Sequence, residues 1–408
     1  MLLKNENIVC ISDCDWQNVY MNSAIELLSE TAKNNNVLYI DRQHTIKYVI
    51  SSFFKCKNSI QKYRIFGFQK RIRNVETRNG AQLNVLTPYP SFPSNWVNND
   101  GKIYRLILRF NAFLLNKNFK KAIKQLKFTQ PILINSWNPF VGIFLNNEIN
   151  KKLEVYFCWD EMRLAPYYKP HVGVIEDEYV KKVDAVISTS KTLAENRSSL
   201  SKNNFVIENG ADFKLFNKAY KIKSKLTRKQ KTIGYIGSID YRFDIDLVKY
   251  LVRNSPEFNY IIVGRNENSE AVNILSKFSN VKIYGPQIPE KLPEFAAQMD
   301  VGIIPFCRLE VIRSMYPIKI HEYLAAGLAV VMTNFADFSE LDDMIFSTNK
   351  PEIFLDRIRK EIKTDSENKQ LKRINFAKNN SWEKRVGKLN KILYDLLKEK
   401  EQEQQKSL

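Results

Sequence analysis

Residues 317–333 read PIKIHEYLAAGLAVVMT, and this stretch decides the fold. Pro317 suits the first turn of a helix, because proline has a fixed φ and no backbone donor. Gly327 stands where a left-handed C-cap belongs, and the apolar run 329–332 is typical of a strand buried on both faces. Between these signals, apolar residues recur at helical spacing: Ile320, Tyr323 and Leu324. The stretch therefore predicts a helix, a turn and a parallel strand inside an α/β domain.

Two charged residues of this stretch, Lys319 and Glu322, are three positions apart and share one side of the first helical turns. A helix N-terminus favours an anion, and a lysine there adds a compact positive charge suited to phosphate. A carboxylate one turn later can accept hydrogen bonds from the two hydroxyls of a ribose. The pair is therefore a candidate site for a nucleotide. The alternative from spacing alone is an ordinary ion pair on a solvated helix face.

The sequence around this stretch resembles GT-B glycosyltransferases. The motif P-x-K-x-x-E-Y-L-A-A-G is similar to the donor-site segment of family-four-like enzymes, such as the teichuronic-acid and capsular polysaccharide glycosyltransferases. Four upstream segments follow the order of that family: TIGYIGSID (232–240), NYIIVG (259–264), NVKIYGP (280–286) and DVGIIPF (300–306). One position departs from the pattern, because many retaining members carry a glutamate where this chain has Ser314.

The first half of the chain resembles the same family through shorter motifs. They are a Y-x-C-x-D element ending at Asp160, the run DAVISTS at 184–190, and N-G-A-D-x-x-x-F from Asn209. The resemblance implies an α/β fold with two Rossmann-like domains that face each other across a cleft. We expect an N-terminal acceptor domain, a linker, a nucleotide-sugar domain, and a helix with a tail that crosses back to the first domain. Their predicted bounds are 1–212, 213–231, 232–380 and 381–408.

Two residues near the start of the second domain are further candidates for binding the diphosphate of a donor. Gly237 follows the first strand, where a missing Cβ lets backbone N–H groups approach a phosphate. Arg242 lies in the same loop and could hold the diphosphate through two hydrogen bonds, as basic residues of this loop do in related enzymes. The alternatives are a tight structural turn at Gly237 and a solvated loop arginine at Arg242.

For the acceptor side, Asp160 is the first choice as the catalytic carboxylate. It follows the predicted strand 153–158, and ligands in open α/β sheets collect at the carboxyl ends of strands. Glu161 is the second choice, and Asp13 or Asp15 in the first loop is the third. A general base must reach the hydroxyl that it serves. The alternative for Asp160 is that its side chain caps the turn that follows.

The cysteine pattern and the hydropathy of the chain indicate the cellular compartment that we expect for it. The five cysteines are scattered without a C-x-x-C pair, and the histidines lack metal-ligand spacing. A reducing compartment is therefore expected, with no bound metal and no cofactor besides the nucleotide-sugar substrate. The N-terminus has acidic residues and no long apolar run, so it is not predicted to be a secretory signal. The most apolar segment, 103–115, is broken by arginines, so no membrane span is expected.

The net charge of +19 is concentrated in two blocks without Asp or Glu, residues 44–73 and 101–147. Such blocks indicate an anionic partner, either nucleic acid or a membrane surface. Apolar residues alternate with the basic ones, as in surface helices that lie in a lipid interface. They are Tyr48, Phe53, Phe54, Tyr63, Phe66, Phe68, Leu106, Leu108, Phe110 and Phe113. The alternative is that these apolar residues form core and that the lysines are a solvated face.

These observations lead to one expected function. We expect a hexosyltransferase that moves a sugar from a nucleotide-sugar donor, with UDP as the nucleotide, to a lipid-linked saccharide in surface polysaccharide synthesis. Its expected location is cytoplasmic, peripheral at the inner face of the cell membrane and bound to anionic lipid. A UDP-sugar epimerase of the same fold is the first alternative. A basic nucleic-acid-binding protein is the second, but two βαβ series with a nucleotide-site motif are unnecessary for it, so no nucleic-acid partner is expected.

Overall fold

The computed structural model describes residues 3–17, 22–54, 61–97, 101–145, 148–165, 168, 171–224, 230–341 and 343–406. The chain forms two compact units. The first contains Met1–Glu208 and Arg385–Leu408, and the second contains Asn209–Lys384. Each unit is an α/β domain around a mainly parallel sheet, as the sequence predicts.

The first unit is built on an eight-stranded sheet. In chain order the strands are β1 (Asn7–Ser12), β2 (Asn36–Ile40), β3 (Ile72–Glu76), β4 (Gln82–Leu86), β5 (Ile132–Ser136), β6 (Leu153–Cys158), β7 (Ala185–Ser188) and β8 (Asn204–Val206). In space their order is β3-β4-β2-β1-β5-β6-β7-β8, and every neighbouring pair is parallel except β3 with β4. The central strands are buried along their length, which is why their sequences are nearly continuous apolar runs.

The helices of the first unit connect these strands. They are α1 (Ser23–Thr31), α2 (Ile46–Phe54), α3 (Lys62–Ile65), α4 (Lys102–Leu126), α5 (Pro139–Leu145), α6 (Val172–Val180) and α7 (Lys191–Glu195). The long helix α4 packs Leu115 and Phe119 into a core formed with β1, β2 and β5. The basic block at 44–73 contains α2, α3 and the start of the edge strand β3, and its residues 55–60 lie outside the described part.

The second unit has a six-stranded parallel sheet with the order β11-β10-β9-β12-β13-β14. Its strands are β9 (Thr232–Ile236), β10 (Asn259–Val263), β11 (Val281–Tyr284), β12 (Val301–Ile304), β13 (Ala329–Met332) and β14 (Ile345–Ser347). Its helices are α8 (Phe213–Lys223), α9 (Ile245–Asn254), α10 (Ser269–Leu275), α11 (Leu292–Ala297), α12 (Ile318–Ala325), α13 (Pro351–Thr364) and α14 (Glu367–Asn379).

The stretch 317–333 adopts the predicted helix, turn and strand, as α12, Gly327 and β13. Gly327 has φ +75°, the left-handed conformation expected of a helix C-cap. Its N–H donates to the carbonyl of Leu324 at 3.0 Å, and the N–H of Leu328 donates to the carbonyl of Tyr323 at 2.9 Å. This pair of bonds is the Schellman arrangement, which ends α12 and turns the chain into β13.

The last helix, α15 (Trp382–Lys406), returns the chain to the first unit from Arg385 onward. Its side chains pair there with two acids, since Arg385 contacts Glu208 at 2.9 Å and Lys400 contacts Asp184 at 2.7 Å. The predicted crossing of the terminal helix to the first domain is therefore confirmed.

The predicted linker at 213–231 needs correction. Its first part is helix α8, which belongs to the second unit and buries Leu215, Phe216 and Ala219. The Asp212 side chain caps this helix by accepting the N–H of Leu215 at 3.0 Å. The lysines between these apolar residues occupy the outer face, so the apolar stripe is too short to stand out in the sequence. Residues 225–229 lie outside the described part of the chain.

Candidate functional site

Both sheets place ligand-facing loops where the strand order reverses. In the first unit β1 lies between β2 and β5, and in the second unit β9 lies between β10 and β12. Loops at the carboxyl ends of such neighbouring strands diverge, which leaves a crevice in which ligands of open α/β sheets bind. Each unit therefore has one position where a site is expected.

In the second unit, Gly237 and Lys319 come together at the end of β9. A Cβ built on Gly237 would lie 2.3 Å from Cε of Lys319 and 2.6 Å from the hydroxyl oxygen of Tyr235. On the other side, Gly264 has φ +151°, and a Cβ there would lie 2.1 Å from the carbonyl oxygen of Gly237. A side chain at Gly264 would meet backbone atoms, whereas one at Gly237 would have to displace the Lys319 side chain, which reaches the end of the strand from α12.

Arg242 adds a second positive charge beside Lys319. Its guanidinium centre lies 5.7 Å from the ring centre of Phe306, and Nζ of Lys319 lies 5.6 Å from the same ring. Burial, and then the charge of Arg242, lower the pKa of Lys319 to about 8. The two cations are thus close enough to repel each other, and an anion bound between them would relieve that repulsion.

Asp240 holds Arg242 in place. Nε of Arg242 donates to the two carboxylate oxygens of Asp240 at 3.0 and 3.2 Å. Burial alone would favour the neutral acid, but the hydrogen bonds and charge of Arg242 lower the pKa of Asp240. Arg242 is therefore neither a freely solvated loop residue nor an isolated charge. Asp240 and Phe306 were not singled out from the sequence, although both lie inside the quoted segments 232–240 and 300–306.

Glu322 lies one turn after Lys319 on α12 and is almost fully buried. Its negative charge favours the protonated form of Lys319, so the two side chains act on each other. This arrangement differs from a solvated ion pair, because both groups are shielded from solvent. Ser314, which replaces the glutamate of many relatives, is buried at 3% exposure.

Tyr323 fixes α12 against the sheet. Its hydroxyl accepts the backbone N–H of Ile236 at 2.7 Å, at the last residue of β9. Its ring lies over Gly302 of β12, where a Cβ would be only 2.5 Å from Cδ2 of the ring. The tyrosine thus locks the helix that carries Lys319 and Glu322 to the two strands that frame the site.

In the first unit, the predicted catalytic role of Glu161 meets a structural obstacle. Glu161 is buried, and its Oε1 lies 3.1 Å from the guanidinium of Arg197. The same guanidinium contacts Glu176 at 2.8 Å, and Arg163 contacts Glu176 at 2.7 Å. Burial would raise the pKa of Glu176, but Arg197 and Arg163 lower it overall. Glu161 therefore belongs to a buried ionic network, which we call the Arg197 network, and is not placed to serve as a base.

The residue that caps the turn at 162–164 is Glu161, whose side chain accepts the N–H of Arg163 at 3.3 Å, and Asp160 lies just before this cap. One of the carboxylate oxygens of Asp160 accepts the N–H of Glu161 at 2.9 Å. Its backbone carbonyl accepts Nε1 of Trp137, a residue with φ +57° that follows β5. The side chain is half-buried, and its predicted role in catalysis stays a prediction.

Asp13, the third choice from the sequence, faces a cavity of about 620 Å³ at the carboxyl ends of β1, β2 and β5. Among the described residues that line this cavity, Asp13 is the only one of the four predicted carboxylates. It accepts a hydrogen bond from the hydroxyl of Tyr168 at 2.6 Å, and Nε of Arg42 lies 3.4 Å away. Burial raises the pKa of Asp13, although Arg42 opposes the rise. Asp15 instead pairs with His44 at 2.8 Å.

The architecture is that of GT-B proteins. Sucrose-phosphate synthase from Thermosynechococcus elongatus aligns over 96% of this chain and 99% of its own, with a TM-score of 0.67 and 14% identity. HepE from Anabaena, solved in complex with UDP and glucose, aligns over 95% and 99%, with a TM-score of 0.61 and 14% identity. At these identities the likeness shows the fold alone, and that fold is GT-B.

Two further similarities come from sequence. Residues 230–363, which lie within the second unit, match the model of the family described as glycosyl transferases group 1. TuaH of Bacillus subtilis, named as a teichuronic acid biosynthesis glycosyltransferase, is 24% identical over 224 residues. That match covers 50% of this chain and 56% of TuaH, so the chain matches about half of this relative. The resemblance to GT-B glycosyltransferases is confirmed.

Proposed function

We propose that the chain is a hexosyltransferase that moves a sugar from a UDP-linked donor to a lipid-linked saccharide in cell-surface polysaccharide synthesis. The observation that carries the proposal is the convergence of Gly237, Arg242 and Lys319 at the end of β9 in a group 1 glycosyltransferase domain. The UDP complex of HepE supports the choice of nucleotide, and the name of TuaH supports the polysaccharide context.

The proposed chemistry is stabilisation of the leaving nucleoside diphosphate. As the bond to the sugar breaks, negative charge builds up on the diphosphate. We propose that Lys319, Arg242 and the N-terminus of α12 meet that charge, because Lys319 is buried beside Arg242 and a helix N-terminus favours an anion. Because the chain supplies these positive charges itself, we propose that transfer requires no bound metal and no other cofactor.

Gly237→Ala should weaken UDP binding about tenfold, the effect of one disturbed charge-assisted hydrogen bond. The added methyl group would displace the Lys319 side chain, whose Cε lies 2.3 Å from the methyl position. Gly285→Ala is the matched control, because Gly285 also follows a strand, yet nothing lies within 4 Å of its Cβ position. Calorimetric titration of both variants with UDP is the measurement. Equal losses in the two variants would make Gly237 an ordinary turn residue.

Glu322→Gln should also weaken UDP binding about tenfold, because an amide accepts weaker hydrogen bonds than a carboxylate. The loss should depend on the ribose hydroxyls. The wild-type protein should therefore prefer UDP over 2′,3′-dideoxyuridine diphosphate, and the variant should lose most of that preference. An unchanged melting temperature would show that the fold is intact. Unchanged UDP affinity would refute the assignment of Glu322 to the ribose.

We also propose that the first unit binds an anionic membrane surface from the cytoplasmic side. Of the ten apolar residues singled out in its basic blocks, only Leu108 is buried in the core. The side chains of Phe54 and Phe68 are 84% and 79% exposed, and α4 carries an exposed apolar stripe at helical spacing. That stripe consists of Ile103, Leu106, Phe110 and Phe113. Among the described residues, no helix is long and apolar enough to cross a bilayer.

Exposed lysines and arginines flank the stripe on α4, among them Arg109, Lys117 and Lys120. Each basic side chain near an anionic lipid surface contributes about 1 kcal/mol to binding. Exposed aromatic and aliphatic groups contribute in addition by entering the interface. The surface therefore combines the two interactions that hold peripheral proteins on a membrane.

Flotation with vesicles tests this proposal. The protein should bind anionic vesicles at low salt and neutral vesicles much less. Binding should fall in ~1 M salt, where the screening length shrinks to about 3 Å. The double variant Phe54→Ser, Phe68→Ser should lower the fraction of protein that stays bound to anionic vesicles in high salt. Equal binding to both kinds of vesicle, or binding to neither, would show that these lysines form an ordinary solvated face.

A further inference from the structure

We propose that the cavity of the first unit binds the saccharide of an amphiphilic acceptor, and that Phe92, Phe110 and Phe113 at its mouth receive the lipid portion. The inference rests on the proposed transfer reaction and specifies its second substrate. We call these three residues the phenylalanine row. The cavity, of about 620 Å³, has the size of sites that bind small molecules.

The position of the cavity matches a ligand site of an open α/β sheet. Three of its lining residues lie within two positions of the ends of neighbouring strands: Asp13 after β1, Arg42 after β2, and Asn138 after β5. This is the place in the first sheet where the strand order reverses. Polar side chains from three strands therefore converge on one volume.

The lining has the two kinds of groups that a sugar requires. Aromatic rings stand in stacked pairs, with Tyr104 4.3 Å from His171 and Phe140 5.8 Å from Tyr168, measured between ring centres. The C–H faces of a pyranose can pack on such rings. The carboxylate of Asp13 can accept a hydroxyl hydrogen, and the guanidinium of Arg42, which is partly exposed, can donate to hydroxyl or anionic groups.

The mouth of the cavity is apolar on one side. Phe92 lines the cavity, yet its side chain is about half exposed, so it lies at the boundary with solvent. Its ring centre is 5.4 Å from that of Phe110, and Phe110 is 6.3 Å from Phe113. The row thus runs from the cavity onto the exposed stripe of α4. An acceptor with a lipid end would bury that row.

The start of the row is held by a dedicated buried side chain. Oδ1 of Asn111 accepts the N–H of Phe92 at 2.7 Å, and its Nδ2 donates to the carbonyl of Phe92 at 2.9 Å. Asn111 itself lines the cavity and is buried. Two hydrogen bonds from one amide fix the backbone that presents Phe92, so the ring stays exposed at the mouth instead of collapsing into the core.

The experiment compares the methyl and dodecyl glycosides of glucose, N-acetylglucosamine and glucuronic acid, used below the concentration at which micelles form. Affinities are measured by saturation-transfer NMR titration of the full chain. Phe113→Ser tests the row, Arg42→Met tests the cavity, and Ile353→Ser, an exposed residue of α13, is the control. UDP titration of the same samples reports the donor site separately.

In the wild type, at least one dodecyl glycoside should bind about tenfold or more tightly than its methyl counterpart, because buried methylene groups contribute steadily to binding. Phe113→Ser should remove most of that difference, and Arg42→Met should weaken both glycosides. Ile353→Ser should change nothing. UDP affinity should stay the same in all three variants.

Other results would overturn the inference. Equal binding of methyl and dodecyl glycosides would indicate a water-soluble saccharide and no lipid row. No binding of any glycoside to the wild type, or binding that Arg42→Met leaves unchanged, would mean that this cavity is not the saccharide site. If the wild type does not bind UDP, the proposed donor is refuted. The glycoside titrations would still show whether the cavity binds a saccharide.

Discussion

Lys319→Met should lower the affinity for UDP by roughly 30- to 150-fold and leave the affinity for uridine nearly unchanged. The fold-change corresponds to about 2–3 kcal/mol, the contribution of a hydrogen bond to a charged group. The difference between the ligands follows because only UDP carries the diphosphate. Methionine keeps a long unbranched side chain over Gly237 and Phe306, so packing is largely preserved. Calorimetric titration with both ligands is the measurement, and equal losses would make Lys319 a structural residue.

The same lysine should make UDP binding depend on pH. Burial and the charge of Arg242 lower the pKa of Lys319 to about 8, and only the protonated form attracts the diphosphate. Affinity should therefore be full below pH 8 and should fall as the pH rises through that value. Bound diphosphate raises the pKa of the lysine, so the fall continues until the pH exceeds that higher value. In Lys319→Met this decline above pH 8 should disappear.

Arg197→Met should lower the free energy of unfolding of the first unit by about 3–5 kcal/mol, the usual cost of breaking a buried ion pair. Arg197 is fully buried and contacts both Glu161 and Glu176. Without it, two buried carboxylates lose a cation and must either stay charged at high cost or take up protons. Urea unfolding followed by circular dichroism measures the change.

Arg105→Met is the control for Arg197→Met. Arg105 pairs with Glu178 at 2.7 Å, but the two side chains are 34% and 38% exposed. An exposed pair of this kind contributes at most about 1 kcal/mol. If Arg105→Met and Arg197→Met destabilise the protein equally, the Arg197 network does not hold the first unit together, and Glu161 becomes a candidate for catalysis again.

The parts of the fold that the sequence predicts are those with local causes. In residues 317–333, helical spacing, a glycine at the C-cap and a buried apolar run all act over a few neighbouring positions. The structure accordingly shows α12, Gly327 and β13 where expected. The candidate residues Gly237, Arg242 and Lys319 are found close together for the same reason, because the first two lie in the loop after β9 and the third lies on the first turn of α12.

The first unit shows why the rest could not be predicted. Whether Asp160, Glu161 or Asp13 faces a cavity depends on partners distant in sequence. Glu161 is taken up by Arg197, which is 36 residues away, and Asp13 is held by Tyr168, which is 155 residues away. No sequence spacing indicates that Arg197 or Tyr168 pairs with these carboxylates. Helix α8 was hidden for a related reason, because its stripe of three apolar residues is recognisable only from the packing that buries it.

Product analysis distinguishes a glycosyltransferase from an epimerase of the same fold. The wild-type protein is incubated with UDP-glucose, UDP-N-acetylglucosamine or UDP-glucuronic acid and with vesicles that contain lipid-linked saccharides, and ³¹P NMR follows the nucleotide. We expect release of UDP from one of the donors only when acceptor is present, together with a longer lipid-linked product, and neither in Lys319→Met. Conversion of a UDP-sugar into its epimer without acceptor and without release of UDP would contradict it.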